Sequence, residues 1–278
     1  MSALPPSLEL SPWAPRISAG ISAVRGAGRA LLELRGTIRG TEAADGQLKT
    51  SVDLAAEGWV LGFLSGSFPG DTFLAEERFD LAGIPWPGAP TYWTVDALDG
   101  TRSYVDGFDG FCVQVAFIED GVPQLGVIYE PVADIVYTGA RNCGAWKLVG
   151  GTATQMHGTR TDALVTGLRF VDSTRPGPPV GALFERAQGA FVECGSCGLK
   201  LCRIVDDAAD VYAKRFNPKL WDVAPGDVLL REVGLQVGTW DGAPFDYAGT
   251  RTHYDSMLAA APALFARLVA ELSQDVAR

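Results

Sequence analysis

The chain has 278 residues, of which 47% are hydrophobic, so it can bury a sizeable core as one large domain or two closely packed ones. It carries 23 Lys and Arg against 33 Asp and Glu, and the net charge of −10 excludes general attraction to a nucleic acid polymer or an anionic membrane. No apolar stretch approaches the ~20 residues of a membrane span, and the N-terminus lacks the pattern of a signal peptide, so we expect a cytoplasmic protein.

Helices and strands are both indicated in the first half of the chain. Apolar residues at helical spacing predict helices over 16–36 and 50–70. Runs rich in β-branched and aromatic residues predict strands over 72–77, 91–95, 111–118, 124–130 and 134–139. The pair Asp120-Gly121 lies between two of these strands and predicts a hairpin turn.

The pattern of predicted elements in the sequence changes near residue 150. We therefore divide the chain into a half at 1–150 and a half at 151–278, which need not be independent domains. The second half contains a loop over 173–181, predicted helices over 197–208 and 221–234, and predicted strands over 162–170, 190–195 and 209–214. The mixture predicts a layered fold of the mixed α/β class.

Five cysteines give an odd count, and their spacings do not indicate a disulfide framework. Cys194 and Cys197 form a Cys-Gly-Ser-Cys pair, which could indicate a redox or zinc site. Neither a thioredoxin-like context nor a second ligand pair accompanies it, and His157 and His253 are the only histidines. We interpret the cysteines as reduced and mostly buried thiols.

Acidic residues stand at the ends of several predicted elements. They are Glu76 after one strand, Asp96 and Asp99 after the next, Asp222 at the start of a helix, and Asp53 at the front of an earlier helix. Mg²⁺ prefers oxygen ligands such as these, and a pair of such ions can activate water against a phosphate. Each residue taken alone is also explained as a turn residue, a helix cap or a solvated carboxylate. The residues by themselves therefore leave open a multi-carboxylate metal site.

Three motifs together resemble the inositol monophosphatase-like phosphatase superfamily. They are "FLAEE", "VDALDGTRSY" and "LWDVAPGDVLLREVG", in the order and at the separations typical of that family, and the resemblance runs from about residue 49 to residue 247. The chain departs from the family at Ala97, where a proline is usual. This departure removes no ligand, because the intervening carbonyl belongs to Leu98.

The resemblance implies a layered α-β-α-β-α sandwich and a Mg²⁺-dependent phosphatase without a phosphoenzyme. It implies that two or three Mg²⁺ ions are held by Glu76, Asp96, the Leu98 carbonyl, Asp99 and Asp222. Thr101 and Glu76 would position the attacking water, and Asp53 would support Thr101 and a weaker third ion. The N–H groups of Gly100 and Thr101 would receive the phosphate. Relatives are commonly inhibited by Li⁺ and are often homodimers.

The second half of the chain bears on which small phosphorylated metabolite is hydrolysed. Basic residues stand there at Lys200, Lys214 and Arg215 and in the first half at Arg102, and they resemble the 3′(2′),5′-bisphosphate nucleotidase branch. A cation prefers a second phosphate, whereas a carboxylate would accept hydrogen bonds from polyol hydroxyls. We therefore expect a substrate such as 3′-phosphoadenosine 5′-phosphate. An inositol monophosphate or a sugar bisphosphate, a solvated role for the basic residues, and a catalytically silent ligand-binding relative stay as alternatives.

Overall fold

The computed structural model describes residues 4–36, 41–42, 48–49, 51–78 and 89–276. Within them the helices are α1 (Pro6–Glu9), α2 (Ala14–Leu34), α3 (Ser51–Ser67), α4 (Thr101–Val105), α5 (Val180–Arg186), α6 (Cys197–Val205), α7 (Leu220–Glu232) and α8 (Pro262–Val276). The strands are β1 (Thr41–Glu42), β2 (Leu48–Lys49), β3 (Thr72–Ala75), β4 (Thr91–Asp99), β5 (Cys112–Glu119), β6 (Val122–Glu130), β7 (Ile135–Ala140), β8 (Ala145–Val149), β9 (Thr152–Gln155), β10 (Arg169–Asp172), β11 (Ala190–Glu193), β12 (Tyr212–Arg215), β13 (Gln236–Gly238) and β14 (Ser256–Ala260). None of these helices is both long and apolar enough to cross a membrane.

The central sheet has seven strands in the order β3-β4-β5-β6-β7-β8-β9. Strands β3 and β4 pair in parallel, and each later neighbour pairs antiparallel. The predicted hairpin between β5 and β6 is confirmed, and Asp120 and Gly121 have φ values of 49° and 70°. Two positive φ values in sequence are typical of the type I′ turn that matches strand twist.

Strand β5 shows why several strands read as continuous apolar runs. Val113, Val115 and Phe117 belong to one hydrophobic cluster, and the alternate residues Cys112 and Ala116 belong to another. Successive side chains point to opposite faces of a sheet, so both faces are buried. Helices α2 and α3 pack on the first face, and α6 and α7 pack on the second.

Helix α2 owes its position to a repeated apolar stripe. Ile17, Val24 and Leu31 recur every seven residues and are fully buried in the cluster that also contains β4, β5 and β6. A spacing of seven brings side chains back to one helical face after about two turns, so this face lies on the sheet. The helix covers most of the predicted range 16–36 but begins and ends two residues earlier.

A second sheet covers the outer side of α6. Strands β12, β14 and β13 pair antiparallel, β10 and β11 pair in parallel, and a bridge between Phe170 and Val211 connects the two groups. Helices α5 and α8 pack on the far face of this sheet in a third hydrophobic cluster. The order of layers is therefore helix, sheet, helix, sheet, helix, which confirms the predicted α-β-α-β-α sandwich.

Several predicted elements differ from the structure in extent. Of the strand predicted over 162–170, only Arg169 and Phe170 lie in a strand, at the start of β10, and the chain turns before them at Gly167, whose φ is 81°. The loop predicted over 173–181 ends where α5 begins, and the helix predicted over 197–208 stops at Val205. Position 50, the predicted start of the second helix, lies outside the described residues, and the division near residue 150 stays a prediction.

Helix α7 approaches the central sheet closely at one glycine. A Cβ atom on Gly126 of β6 would lie 2.3 Å from the carbonyl oxygen of Pro225 in α7. Real Cβ atoms do not come so close to a backbone oxygen, so only glycine allows this contact. The contact matters for the site because α7 carries Asp222 in its first turn.

We expect Gly126→Ala to lower the free energy of unfolding by about 2 kcal/mol and Tm by about 5 °C, because overpacking forces α7 away from the sheet. Thermal unfolding followed by circular dichroism measures the change. Gly62→Ala is the matched control: this glycine lies on the exposed side of α3, and a Cβ atom added to it would meet nothing within 4 Å, so alanine should be neutral or stabilising. Equal stability of the two variants would contradict the prediction.

Candidate active site

A cleft of about 250 Å³ opens where the central sheet meets the starts of α4, α6 and α7. Most of the sequence-predicted site residues meet in its lining. These are Glu76, Asp96, Leu98, Asp99, Gly100, Thr101, Lys200, Lys214 and Asp222.

The parallel pairing of β3 and β4 brings Glu76 level with Asp96. Ala75 and Val95 are register partners, and each acidic residue is the next one along its strand. The Glu76 N–H donates to the Val95 carbonyl over 3.2 Å, which continues the pairing by one residue. Parallel strands end at the same edge of a sheet, so two strand-end carboxylates reach the same cleft.

The end of β4 is irregular in a way that turns both aspartates inward. The register against β5 shifts between Asp96 and Asp99, as at a β-bulge. The Leu98 N–H donates to Asp96 over 3.1 Å, and the Gln114 amide lies 3.4 Å from Asp96 and 3.2 Å from Asp99. Gly100 follows with a φ of 92°, a conformation that favours glycine.

Asp99 is also joined to the start of α6. Its two carboxylate oxygens accept the N–H groups of Cys197 over 3.1 Å and Gly198 over 2.6 Å. Free N–H groups in the first turn of a helix carry partial positive charge and suit an anion. This contact fixes the second half of the chain against the end of β4.

Thr101 lies between a carboxylate and a carbonyl. Its hydroxyl oxygen is 3.0 Å from Asp53 and 3.2 Å from the Leu98 carbonyl oxygen, either of which can accept its proton. Asp53 is itself buried on α3 and stands behind the cleft rather than in its lining. The arrangement fixes the position of the Thr101 oxygen between these two acceptors.

Sequence reasoning missed Glu57, which lies one helical turn after Asp53. Its fully buried carboxylate accepts the Glu77 N–H over 2.7 Å and pairs with Arg78 over 3.1 Å. Residues four apart share one helix face, so α3 holds Thr101 with one carboxylate and the turn after Glu76 with the next. The four-residue spacing in the sequence was the signal that could have found it.

Asp222 is the third residue of α7 and serves as its cap. The Lys219 N–H donates to one Asp222 oxygen over 2.8 Å, as in a capping box. The Lys219 ammonium reaches Glu76, with 3.4 Å between the nitrogen and the carboxylate oxygen. Lys219, which sequence reasoning also missed, therefore connects the two acidic residues.

The predicted basic residues separate into two groups. Lys200 and Lys214 line the cleft and share the buried carboxylate of Asp172, at 3.3 Å and 2.8 Å. Arg215 lies on the opposite face of β12, where its guanidinium is 5.0 Å from the ring centre of Trp240. Consecutive strand residues point to opposite faces, so Lys214 and Arg215 cannot both face the cleft.

The structure also locates Arg102 and the five cysteines. Arg102 is exposed and stands outside the lining of the cleft. The five cysteines are free thiols, four of them buried, and Cys197 lies in the cleft lining.

Comparison with known proteins gives consistent matches over most of the chain. The sequence model of the Inositol monophosphatase family matches residues 13–277. Inositol monophosphatase 3 of Solanum lycopersicum is 31% identical over 217 residues, which cover 73% of this chain and 78% of that protein. The 3′(2′),5′-bisphosphate nucleotidase CysQ of Shigella flexneri is 31% identical over 215 residues, which cover 73% of this chain and 81% of that protein.

A solved structure supports the same family. The inositol monophosphatase from Anabaena aligns with a TM-score of 0.75 at 26% identity, over 95% of this chain and 97% of that chain. The chain belongs to the inositol monophosphatase family. Members of this family are Mg²⁺-dependent phosphatases that act on small phosphorylated substrates, and the predictions of family and enzyme class are confirmed.

The cleft of this inositol monophosphatase relative concentrates negative charge. Burial, followed by the negative charges of neighbouring acids, raises the pKa of Asp96 and of Asp222 well above their usual range. Burial raises the pKa of Glu76 from 4.5 to about 7, although the Lys219 ammonium opposes the change. Burial also raises the pKa of Asp99, against the effect of the Gly198 and Cys197 N–H groups.

The donor set fits Mg²⁺ in its chemistry. The converging groups are carboxylates and a carbonyl, all of them hard oxygen donors, and a cation would relieve their mutual repulsion. In the described part of the chain, no three His, Cys, Asp or Glu side chains stand where they could hold an ion as they are.

We expect Glu76→Gln to reduce the loss of stability that the metal-free protein shows as the pH rises. The pKa of Glu76 is raised by folding, so its ionisation opposes folding, and stability is lost as pH rises from about 4.5 to about 7. In EDTA the free energy of unfolding of the wild type should therefore fall more steeply than that of the variant between about pH 4.5 and about pH 7. Chemical unfolding at several pH values measures the difference.

Added Mg²⁺ should stabilise the wild type more than the variant, because the wild type gains binding free energy that the variant lacks. Glu193→Gln is the control for loss of one exposed carboxylate. An equal gain of stability from Mg²⁺ in the wild type and in Glu76→Gln would contradict the assignment of Glu76 as a ligand.

Proposed function

We propose that this phosphatase removes a phosphate from a small metabolite that carries a second phosphate. A 3′(2′),5′-bisphosphate nucleotide such as 3′-phosphoadenosine 5′-phosphate is the substrate that fits best. Two or three Mg²⁺ ions would be held by Glu76, Asp96, the Leu98 carbonyl, Asp99 and Asp222. The observation that carries the substrate proposal is the position of Lys214 in the cleft wall.

Lys214 presents positive charge where a second phosphate could reach it. Its ammonium shares Asp172 with Lys200, so two cations stand against one carboxylate and the wall keeps a net positive charge. Lys200 is buried, whereas about a third of the Lys214 side chain is exposed. We therefore assign the substrate contact to Lys214 and a supporting role to Lys200.

The chain's own groups divide the work of hydrolysis. Bound Mg²⁺ would supply Lewis acidity and lower the pKa of a coordinated water. Thr101 and Glu76 would orient the attacking water, and Asp53 fixes the Thr101 hydroxyl for that task. The N–H groups of Gly100 and Thr101, at the first turn of α4, would receive the phosphate.

Sequence identity does not decide between substrates, because the inositol monophosphatase and the bisphosphate nucleotidase relatives are both 31% identical. The chemistry of the cleft favours a second phosphate over a polyol, since an ammonium donates hydrogen bonds and attracts an anion. An inositol monophosphate and a sugar bisphosphate are the alternatives. A homodimer, a cytoplasmic location and inhibition by Li⁺ stay predictions.

Phosphate release from 3′-phosphoadenosine 5′-phosphate, inositol 1-phosphate and fructose 1,6-bisphosphate tests the proposal, with and without Mg²⁺ and Li⁺. We expect kcat/KM for the nucleotide to exceed that for the inositol ester by about tenfold or more, the value of one hydrogen bond to a charged group. A tenfold preference for the inositol ester would overturn the substrate proposal. Mg²⁺ binding without release from any ester would favour a catalytically silent relative.

Lys214→Ala and Arg215→Ala form a matched pair, because both remove a cation from β12 but only Lys214 faces the cleft. We expect Lys214→Ala to raise KM for the bisphosphate about tenfold and to leave p-nitrophenyl phosphate within about twofold. Arg215→Ala should change neither substrate by more than about twofold. Equal effects of Lys214→Ala on both substrates would place its role away from the second phosphate.

A further inference from the structure

Lys219 stands between two carboxylates that come from different halves of the chain. It is the residue before α7, and its N–H donates to Asp222 over 2.8 Å. Its ammonium lies 3.4 Å from a Glu76 oxygen, at the end of β3. One lysine thus contacts one candidate ligand through its backbone and the other through its charge.

The Lys219 side chain is held inside the cleft. Only 8% of it is exposed, and its ammonium lies 5.4 Å from the ring centre of Trp221. The backbone of Lys219 is extended and bridges to His253, which fixes the point from which the side chain starts. A buried ammonium is stable only beside negative charge, so its place is set by the acidic cluster.

The other two lysines that line the cleft form ion pairs with a different carboxylate. Lys200 and Lys214 pair with Asp172, which belongs to neither the β4 end nor the start of α7. Their charges therefore do not neutralise Glu76 or Asp222 by direct contact. Glu76 instead forms its ion pair with Lys219.

We propose that Lys219 is a tethered counter-ion of the metal site. In the metal-free enzyme its ammonium stands beside a Glu76 oxygen, so its positive charge opposes a cation that approaches the same carboxylate. This inference rests on the proposed assignment of Glu76 as a Mg²⁺ ligand. It makes Lys219 a residue that lowers Mg²⁺ affinity while stabilising the empty site.

Calorimetric titration of Mg²⁺ without substrate tests the proposal on the wild type, Lys219→Met and Lys219→Arg. Methionine keeps the length of the side chain and its packing on Trp221 but loses the charge. We expect Lys219→Met to bind Mg²⁺ about tenfold more tightly, because a unit charge within ~4 Å is removed. Lys219→Arg should stay within about threefold of the wild type.

Lys214→Met is the matched control. It removes an equal positive charge from the same cleft, but this charge pairs with Asp172 and not with a candidate ligand. It should change the Mg²⁺ affinity by less than about threefold, since it does not touch a candidate ligand. In EDTA, Lys219→Met should have a lower Tm than the wild type and a larger rise on addition of Mg²⁺. Lys219→Gln is the second uncharged variant if methionine impairs folding.

The outcomes separate this inference from the assignment on which it rests. Unchanged or weaker Mg²⁺ binding by both uncharged variants would overturn the counter-ion role and would indicate that Lys219 only positions its neighbours. If Glu76→Gln bound Mg²⁺ as tightly as the wild type, the assignment of Glu76 would itself fail. Tighter binding by the uncharged Lys219 variants together with loss of binding by Glu76→Gln supports both.

Discussion

Ionised carboxylates resist being buried together, because each loses hydration and repels the next. Four carboxyl groups nevertheless share the cleft, and the surrounding chain offers each one a partner. Asp99 accepts N–H groups of α6, Asp222 accepts the Lys219 N–H, Asp96 accepts the Leu98 N–H, and Glu76 meets the Lys219 ammonium. These partners keep the acids in place before a cation arrives, although they do not supply the positive charge of a divalent ion.

The need to bring four carboxyl groups together explains which elements surround the cleft. The parallel β3 and β4 strands carry two acids to one edge, and the irregular end of β4 turns a third inward. The fourth, Asp222, arrives on α7, which can lie against the sheet because Gly126 leaves room for its backbone. Neither half of the chain forms the site alone, since α6 and α7 close over the end of the sheet that the first half provides.

The mixed α/β class and the hairpin at Asp120-Gly121 follow from patterns that are local in the sequence, whereas the sandwich architecture and the grouping of the acidic residues were implied by the resemblance to the family. Contacts between residues that are far apart in the sequence do not follow from local patterns. Asp172, which holds Lys200 and Lys214, gave no signal because its partners lie 28 and 42 positions further along. Arg215 differs, since the alternation of strand residues would have separated it from Lys214 once the strand was extended by one position. Glu57 was likewise readable as the helical neighbour of Asp53.

Cap, turn residue and metal ligand are competing interpretations of the same aspartates when only the sequence is considered. In the structure a carboxylate can satisfy a cap and still keep acceptor capacity, because it has two oxygens with about four lone-pair sites. Asp222 gives one oxygen to the start of α7, and Asp96 closes a turn with the Leu98 N–H. The backbone contact restricts rotation of the carboxylate, so it also directs the remaining lone pairs. Capping is then part of how the cleft would order the proposed ligands, and residues that look structural in sequence are suited to hold a cation for the same reason.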